Sequence, residues 1–383
     1  MLRGFALLGI LVVNITFAAS GYPIHVSEDP AYSSWLDHAV RWLSSTFFDM
    51  KFYLLFAFLF GYSFTLQMDA AERAGASFKP RMLRRLAGLF VFGALNMVFL
   101  ITGDILTVYA LIGLLLLAMR GVRDRTALIV AAAMYGYLLL TMGAIVLFVD
   151  TSSFLDPAVA LVAGQETTEN LAGGFGSVIG EHLKALPAYG LAQLTVQGPT
   201  SLAMFMLGLV TGRHRLLAGL TGRERVLRRI QLIGFPTGIA GGMYYASAGG
   251  NGATSAVLVS AMTAPLLAAA YGGTLLRVVH SARGRAIGSA LAPAGRMALS
   301  NYLGQSVATL LIFTGVGLGL VGQLSPAGMV LIALVIFAGQ VVVSRWWLGR
   351  HGHGPAEWLL RWITNAARPA WRGSRDLRLP QVP

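Results

Sequence analysis

Thr126-Ala-Leu-Ile-Val-Ala-Ala-Ala-Met-Tyr-Gly-Tyr-Leu-Leu-Leu-Thr-Met-Gly-Ala-Ile-Val-Leu-Phe-Val149 contains no charged residue, follows Arg120, Arg123 and Arg125, and precedes Asp150. A run of this length matches the ~20 apolar residues an α-helix needs to cross the ~30 Å hydrocarbon layer. Only helices and closed barrels satisfy the backbone there, and a continuous apolar run is the helical signature. The flanks also give the run a direction, because Lys and Arg gather at the cytoplasmic ends of membrane helices.

Working outward, comparable runs recur at about 4–20, 52–68, 86–102, 105–119, 191–212, 230–248, 253–276, 298–321 and 326–348. With 126–149 they predict an all-α polytopic integral membrane bundle of about ten spans. One domain, 1–350, would hold the bundle; 351–383 would be a cytoplasmic interfacial helix followed by a disordered tail. Composition agrees: of 383 residues, 56% are hydrophobic and 12% charged, and mean hydropathy is +0.67. Each ionised group at the bilayer centre costs at least ~2.5 kcal/mol, so charge is confined to the connections. The absence of cysteine excludes disulfides and thiolate chemistry.

The net charge of +13 resembles that of a nucleic-acid-binding protein, but no groove-reading motif accompanies it and no nucleic-acid partner is expected. Of the 29 lysines and arginines, all but Arg41, Lys51 and Lys184 fall in alternate connections. Glu28, Asp29, Asp37, Asp49, Asp104, Asp150, Asp156, Glu166, Glu169 and Glu181 fall in the other set. The alternation predicts both termini in the cytoplasm. The first run lacks a small-residue cleavage pattern, so it reads as a retained span rather than a signal peptide.

Two outer connections, 21–51 and 150–190, are longer than a helix hairpin needs, and long loops usually carry function. Within the first, Ala31–Phe48 reads as an amphipathic interfacial helix anchored by Trp35 and Trp42. Pro355-Ala-Glu-Trp-Leu-Leu-Arg-Trp-Ile-Thr364 reads as a short helix lying on the membrane surface.

Walker, GxSxG and HExxH motifs are absent. His351 and His353 form a pair without a third ligand, which reads as a loop rather than a metal site. Polar residues inside the apolar runs carry more information, since a buried amide must be satisfied. They are Asn14, Asn96, and the pairs Asn301/Gln305 and Tyr302/Ser306. Hydrogen-bonded glue between helices is the plain reading for Asn96. For Asn301 and Gln305, four apart on one helix face, glue and a binding role stand level. Asp104 reads as the N-cap of the span that follows it. Arg81, Arg84 and Arg85 mark topology or contact lipid headgroups, with phosphate binding as the alternative. His25 follows Gly21-Tyr-Pro and lies eleven residues past Asn14. It is an exposed loop residue or, if the chain turns back, an imidazole fit for proton transfer at neutral pH.

Leu2-Arg-Gly-Phe-Ala-Leu-Leu-Gly-Ile-Leu-Val-Val-Asn-Ile, Lys51-Phe-Tyr-Leu-Leu-Phe-Ala-Phe-Leu-Phe-Gly and Gly103-Asp-Ile-Leu-Thr-Val-Tyr-Ala resemble blocks of the YeiB family of bacterial membrane proteins. So do Gly295-Arg-Met-Ala-Leu-Ser-Asn-Tyr-Leu-Gly-Gln-Ser and the segment from Trp347 through Gly354-Pro-Ala-Glu-Trp, which fall in that family's C-terminal region at about 210–370. Family members usually carry a few residues, one of them acidic, before Leu-Arg-Gly; this chain departs from that pattern, and an internal start is expected. The YeiB family is grouped with transmembrane acyltransferases, including the lysosomal enzyme that acetylates the terminal glucosamine of heparan sulfate. That enzyme carries an Asn and, eleven residues on, a His implicated in acetyl transfer.

The resemblance therefore implies Asn14 and His25 as catalytic residues. It implies acetyl-CoA, or another acyl-CoA, as co-substrate, with no metal. Residues that would hold the coenzyme are Arg84, Arg85, Asn301, Tyr302 and Gln305. The expected acceptor is an extracytoplasmic hydroxyl or amine, possibly on a carbohydrate. The expected setting is the bacterial inner membrane among lipids, with a homodimer by analogy. A transporter or flippase for a small molecule or lipid is the alternative, although the inverted repeats and paired broken helices typical of transporters are not evident in the sequence.

Overall fold

The computed structural model describes residues 1–149, 156–217, 224–281 and 284–371, without the side chains of Ile24, His25 and His280. Fifteen α-helices occupy this span: α1 (Leu2–Ala19), α2 (Trp35–Phe47), α3 (Lys51–Arg73), α4 (Phe78–Phe99), α5 (Leu106–Ala118), α6 (Asp124–Phe148), α7 (Pro157–Ala172), α8 (Phe175–Ala192), α9 (Gly198–Arg213), α10 (Glu224–Ser247), α11 (Thr254–His280), α12 (Arg285–Arg296), α13 (Ala298–Phe313), α14 (Pro326–Leu348) and α15 (Pro355–Asn365). The described residues contain no β-strand. The protein is a polytopic helical membrane bundle.

Each of the ten apolar runs overlaps a helix, although 298–321 and 191–212 are not single helices. Among the described residues, seven helical stretches are long and apolar enough to cross a membrane, and α5 and α13 are shorter apolar helices. Helix α10 opens with Glu224, Arg225, Arg228 and Arg229, which places its first turns in a polar setting. Helices α8 and α9 form one continuous stretch, Phe175–Arg213, interrupted by a π-helical segment at Gln193–Gln197.

Close helix approach rests on small residues, because lipid provides no hydrophobic force between helices. A Cβ on Gly61 would lie 2.2 Å from the carbonyl oxygen of Phe205, and one on Gly208 would lie 2.2 Å from that of Phe58. These two glycines let the backbones of α3 and α9 touch.

Three expectations change. The run 298–321 is not one span: α13 stops at Phe313, and the chain folds back so that the amides of Leu318, Leu320 and Val321 donate to the carbonyls of Leu311, Ile312 and Phe313. Gly319 and Gly322, at φ +67° and +70°, supply the left-handed turns of this return. The connection 150–190 contains helices rather than a loop, and α7 and α8 are joined by Thr167 and Asn170, both donating to the Glu181 carboxylate at 2.7 and 2.9 Å. Finally, α15 does not merely lie on a surface: Leu360 is 3% exposed and packs with Leu89 and Ala110. The tail beyond Trp371 lies outside the described residues.

The connections expected to be basic meet at one end. There Arg213 pairs with Asp124 at 2.6 Å and Arg215 with Asp69 at 3.1 Å. At the other end Arg41 pairs with Glu28 at 3.0 Å and Lys184 with Glu166 at 2.8 Å.

Candidate functional site

Helices α1, α3, α4, α5, α13 and α15 converge at the basic end around a cavity of about 420 Å³. Its volume falls within the range of small-molecule sites. The mouth presents four guanidiniums, those of Arg3, Arg85, Arg296 and Arg361, with His353 and Glu357 beside them. None of the four arginines takes part in an ion pair among the described residues. Glu357 does not neutralise them directly. Its carboxylate accepts from the amides of Leu299 at 2.6 Å and Ser300 at 3.2 Å, and from the Ser300 hydroxyl, capping the N-terminus of α13. Arg3 donates to the Ser63 hydroxyl, and the Nε of Arg85 is buried without a partner. Leaving such a group unsatisfied costs about 1–3 kcal/mol, so the mouth favours a ligand that brings acceptors and negative charge. His353 sits outside the spans, and burial together with Arg361 and Arg296 lowers its pKa below the ordinary imidazole value.

Inward from the mouth the walls become apolar and aromatic: Ile10, Phe56, Phe60, Leu89, Ile105, Leu106, Tyr109 and Leu299. Phe60 stacks on Phe205 at 4.6 Å and meets Tyr109 edge-on at 5.8 Å, which fixes the throat. Tyr302 lines the same cavity. Its hydroxyl donates to Asp104 Oδ1 at 3.0 Å and accepts from the amide of Ile105 at 3.4 Å. Asp104 is fully buried at the turn between α4 and α5. It also accepts from Asn96 Nδ2 at 2.9 Å and from the Thr107 amide at 2.8 Å and hydroxyl at 3.1 Å. Asp104 thus stands one residue before the N-cap of α5, Ile105, rather than at it, and its carboxylate accepts from the first turn of the helix. The same turn is held from outside by Gln193, whose amide donates to the Asp104 carbonyl at 2.7 Å, and by His182 against the Val98 carbonyl at 3.1 Å.

The candidate residues separate. Arg85 and Tyr302 line the cavity. Arg84 points outward and donates to the Thr364 carbonyl at 3.1 Å. Asn301 donates to the Ala294 carbonyl at 3.0 Å and to Ser344 Oγ at 2.9 Å. Gln305 donates to Gln340 at 2.9 Å and to the Leu7 carbonyl at 3.5 Å. Both amides thus tie α13 to its neighbours and lie outside the cavity lining. Asn14 does not line the cavity either. It sits four residues beyond Ile10, one helical turn or about 6 Å deeper on the same face. Asn14 is partly buried, and no hydrogen bond from its side chain is found among the described residues.

His25 ends the short 3-10 turn Tyr22–His25 at the opposite end; its side chain lies outside the described residues. Val26, Ser27 and Glu28, which follow it directly, line a second cavity of about 400 Å³ shared with α7 and the turn between α10 and α11. One helix and its following turn therefore run from the first cavity at Arg3 and Ile10, past Asn14, to the second cavity at Val26. Glu357 and Arg361 were not singled out from the sequence, and His353, read there as a loop residue, lines the cavity; the signal present was Glu357, a rare acid among the basic connections. Among the described residues no group of His, Asp or Glu is arranged to hold a metal ion.

The model of a protein family described as "protein of unknown function (DUF418)" matches residues 211–367. The chain is 32% identical to the uncharacterized protein YxaH of Bacillus subtilis (strain 168), over 95% of this chain and 92% of that one. It is 28% identical to an uncharacterized 39.9 kDa protein of Bacillus acidopullulyticus over 95% of this chain and 92% of the other. Identity to the uncharacterized protein YeiB of Escherichia coli (strain K12) is 27%, over 96% of both chains. No solved structure matches the chain. With its similarity to YxaH and YeiB extending over nearly the full length of all three chains, the protein belongs to the YeiB family.

Proposed function

We propose that the protein is a transmembrane acyltransferase that takes an acyl group, acetyl in the simplest case, from acyl-CoA at the basic end and passes it to a hydroxyl or amine at the other. The observation that carries this reading is the basic-end cavity: four guanidiniums without ion-paired acids open onto an aromatic throat that ends one turn short of Asn14. Such a shape suits a ligand with a polyphosphate head and a long, thin, largely apolar arm. The head would rest on Arg3, Arg85, Arg296 and Arg361. The arm would pass Phe56, Phe60 and Tyr109 and deliver the thioester towards Asn14.

Asn14 Nδ2 would then donate to the thioester carbonyl and stabilise its developing negative charge. His25 would take the proton of the acceptor, which would approach through the second cavity beside Val26 and Glu28. The chemistry explains the architecture: a charged coenzyme cannot cross hydrocarbon, whereas a neutral acyl group can be handed over inside the bundle. The charge of the basic end favours a cytoplasmic location for it, and the bacterial relatives favour a bacterial plasma membrane.

The test is acetyl transfer by the purified full chain in lipid nanodiscs, using labelled acetyl-CoA and a panel of amino sugars and sugar alcohols. Labelled product from wild type, and none from His25→Ala, is the expected result. Counterflow of a labelled solute without covalent change would instead make the protein a transporter.

A further inference from the structure

Asp104 is fully buried at the inner end of the basic cavity, and none of the ion pairs among the described residues involves it. Among the described residues Tyr302 is the one side chain that both lines the space and hydrogen-bonds the acid. Next to this turn, a Cβ on Gly103 would lie 2.9 Å from the ring of Tyr189, which in turn meets Phe17 of α1 edge-on at 6.5 Å. The Tyr189 hydroxyl and the side-chain Oδ1 of Asn96 are both buried without partners. The Tyr189 ring thus links the Asp104 turn to Phe17, three residues beyond Asn14 on α1.

We propose that Tyr302 is a catalytic acid that protonates the departing thiolate of the acyl donor, with Asp104 as the positioning residue that supplies its proton. This rests on the acyltransferase reading above. A carboxyl group is a donor when protonated and an acceptor when ionised, and a phenol hydroxyl can serve either way. With the proton on Asp104, its O–H donates to Tyr302 Oη and the phenol hydrogen is free to point into the throat. As the acceptor oxygen bonds to the acyl carbon, its proton goes to His25. The C–S bond breaks, its electron pair stays on sulfur, and the Tyr302 proton forms the S–H bond. Tyr302 Oη recovers a proton from Asp104. The resulting carboxylate keeps three donors, Asn96 Nδ2 and the Thr107 amide and hydroxyl. It is reprotonated from the basic end after the thiol leaves. One proton enters at the basic end and one leaves through His25 for each acyl group moved.

The experiment measures free thiol released from acetyl-CoA by the full chain in nanodiscs, supplied with the same amino sugars and sugar alcohols as acceptors, across pH 5–9, with coenzyme A affinity measured in parallel. Tyr302→Phe keeps the ring packing and is expected to slow thiol release by about 100-fold or more while leaving coenzyme affinity within threefold. Asp104→Asn keeps an acceptor for Thr107 and is expected to remove the alkaline limb of the wild-type pH profile. If wild type releases thiol and Tyr302→Phe does so at the same rate with the same profile, this inference is overturned and the acyltransferase reading stands. If wild type releases none at any pH, both fall. A folded Tyr302→Phe that loses coenzyme binding would overturn the proposal; should that variant fail to fold, the Asp104→Asn profile decides alone, an unchanged alkaline limb overturning the proposal.

Discussion

Two faces of α13 handle polar residues in opposite ways. On one, Asn301 and Gln305 hydrogen-bond to Ala294, Ser344, Gln340 and Leu7. On the other, Tyr302 looks into a cavity whose mouth carries guanidiniums without ion-paired acids. One residue of helical advance, about 100° of rotation, separates Asn301 from Tyr302. Polar side chains on this helix are thus sorted by whether they border open space: Tyr302 closes on Asp104 and still faces the cavity, whereas Asn301 and Gln305 do not line it. Those that close on neighbouring helices hold the bundle together. Those that face a space lined by unpaired donors are available to a ligand.

The comparison can be broken by substitution. The largest effect is expected deeper in the bundle, at Asn14: Asn14→Ala should lower acetyl transfer by about 100- to 1,000-fold, the usual loss when one donor to a developing oxyanion is removed. Coenzyme affinity should stay as in wild type, measured by calorimetry beside the transfer assay. Arg85→Ala and Arg361→Ala should each weaken coenzyme A by about tenfold or more, since a charge-assisted hydrogen bond contributes about 1.5–3 kcal/mol. The affinity should also fall with rising salt, more steeply in wild type than in either variant.

The amide face should show the reverse pattern. Asn301→Leu and Gln305→Leu should each lower bundle stability by about 0.6–1.7 kcal/mol in a denaturation series while shifting coenzyme affinity less than threefold. A tenfold loss of affinity in either variant would mean that the two faces are not separate.

The smallest effect concerns His353. Burial and the charges of Arg361 and Arg296 lower its folded pKa, so the folded protein keeps the ring neutral where a free histidine is protonated. The stability this provides is present above the ordinary value of about 6.5 and is lost as pH falls below it towards the lowered value. A polyanion in the mouth reverses the sign, because it favours the protonated ring. Coenzyme A should therefore bind about two- to threefold more tightly at pH 6 than at pH 7.5, and His353→Ala should bind with no such dependence.

Much of the architecture is legible in the chain because hydrocarbon excludes charge so strictly. The run 126–149 and its arginine flank need no tertiary context, and neither does Asp104 as an acceptor for the first turn of α5. The failures have physical causes. Hydropathy continues through Gly315–Val321, but glycines at positive φ turn the chain back after Phe313, and apolarity does not register a turn inside the bundle. Arg84 and Arg85 look equivalent in sequence. Their rotation on α4 sends one to the Thr364 carbonyl and the other into the cavity, and only the docking of α15 decides which. The mouth itself joins residues from position 3 to position 361, a convergence that no local pattern encodes. Asn14 was legible as a polar break in an apolar run, yet its relation to the cavity needed the position of Ile10.

The central claim is that the basic-end cavity receives a phosphorylated acyl carrier. Isothermal titration of the purified full chain with coenzyme A, run beside Arg85→Ala, tests it most directly. Wild type should bind saturably, and Arg85→Ala about tenfold or more weakly. No heat at millimolar coenzyme, or an affinity indifferent to Arg85→Ala, would contradict it.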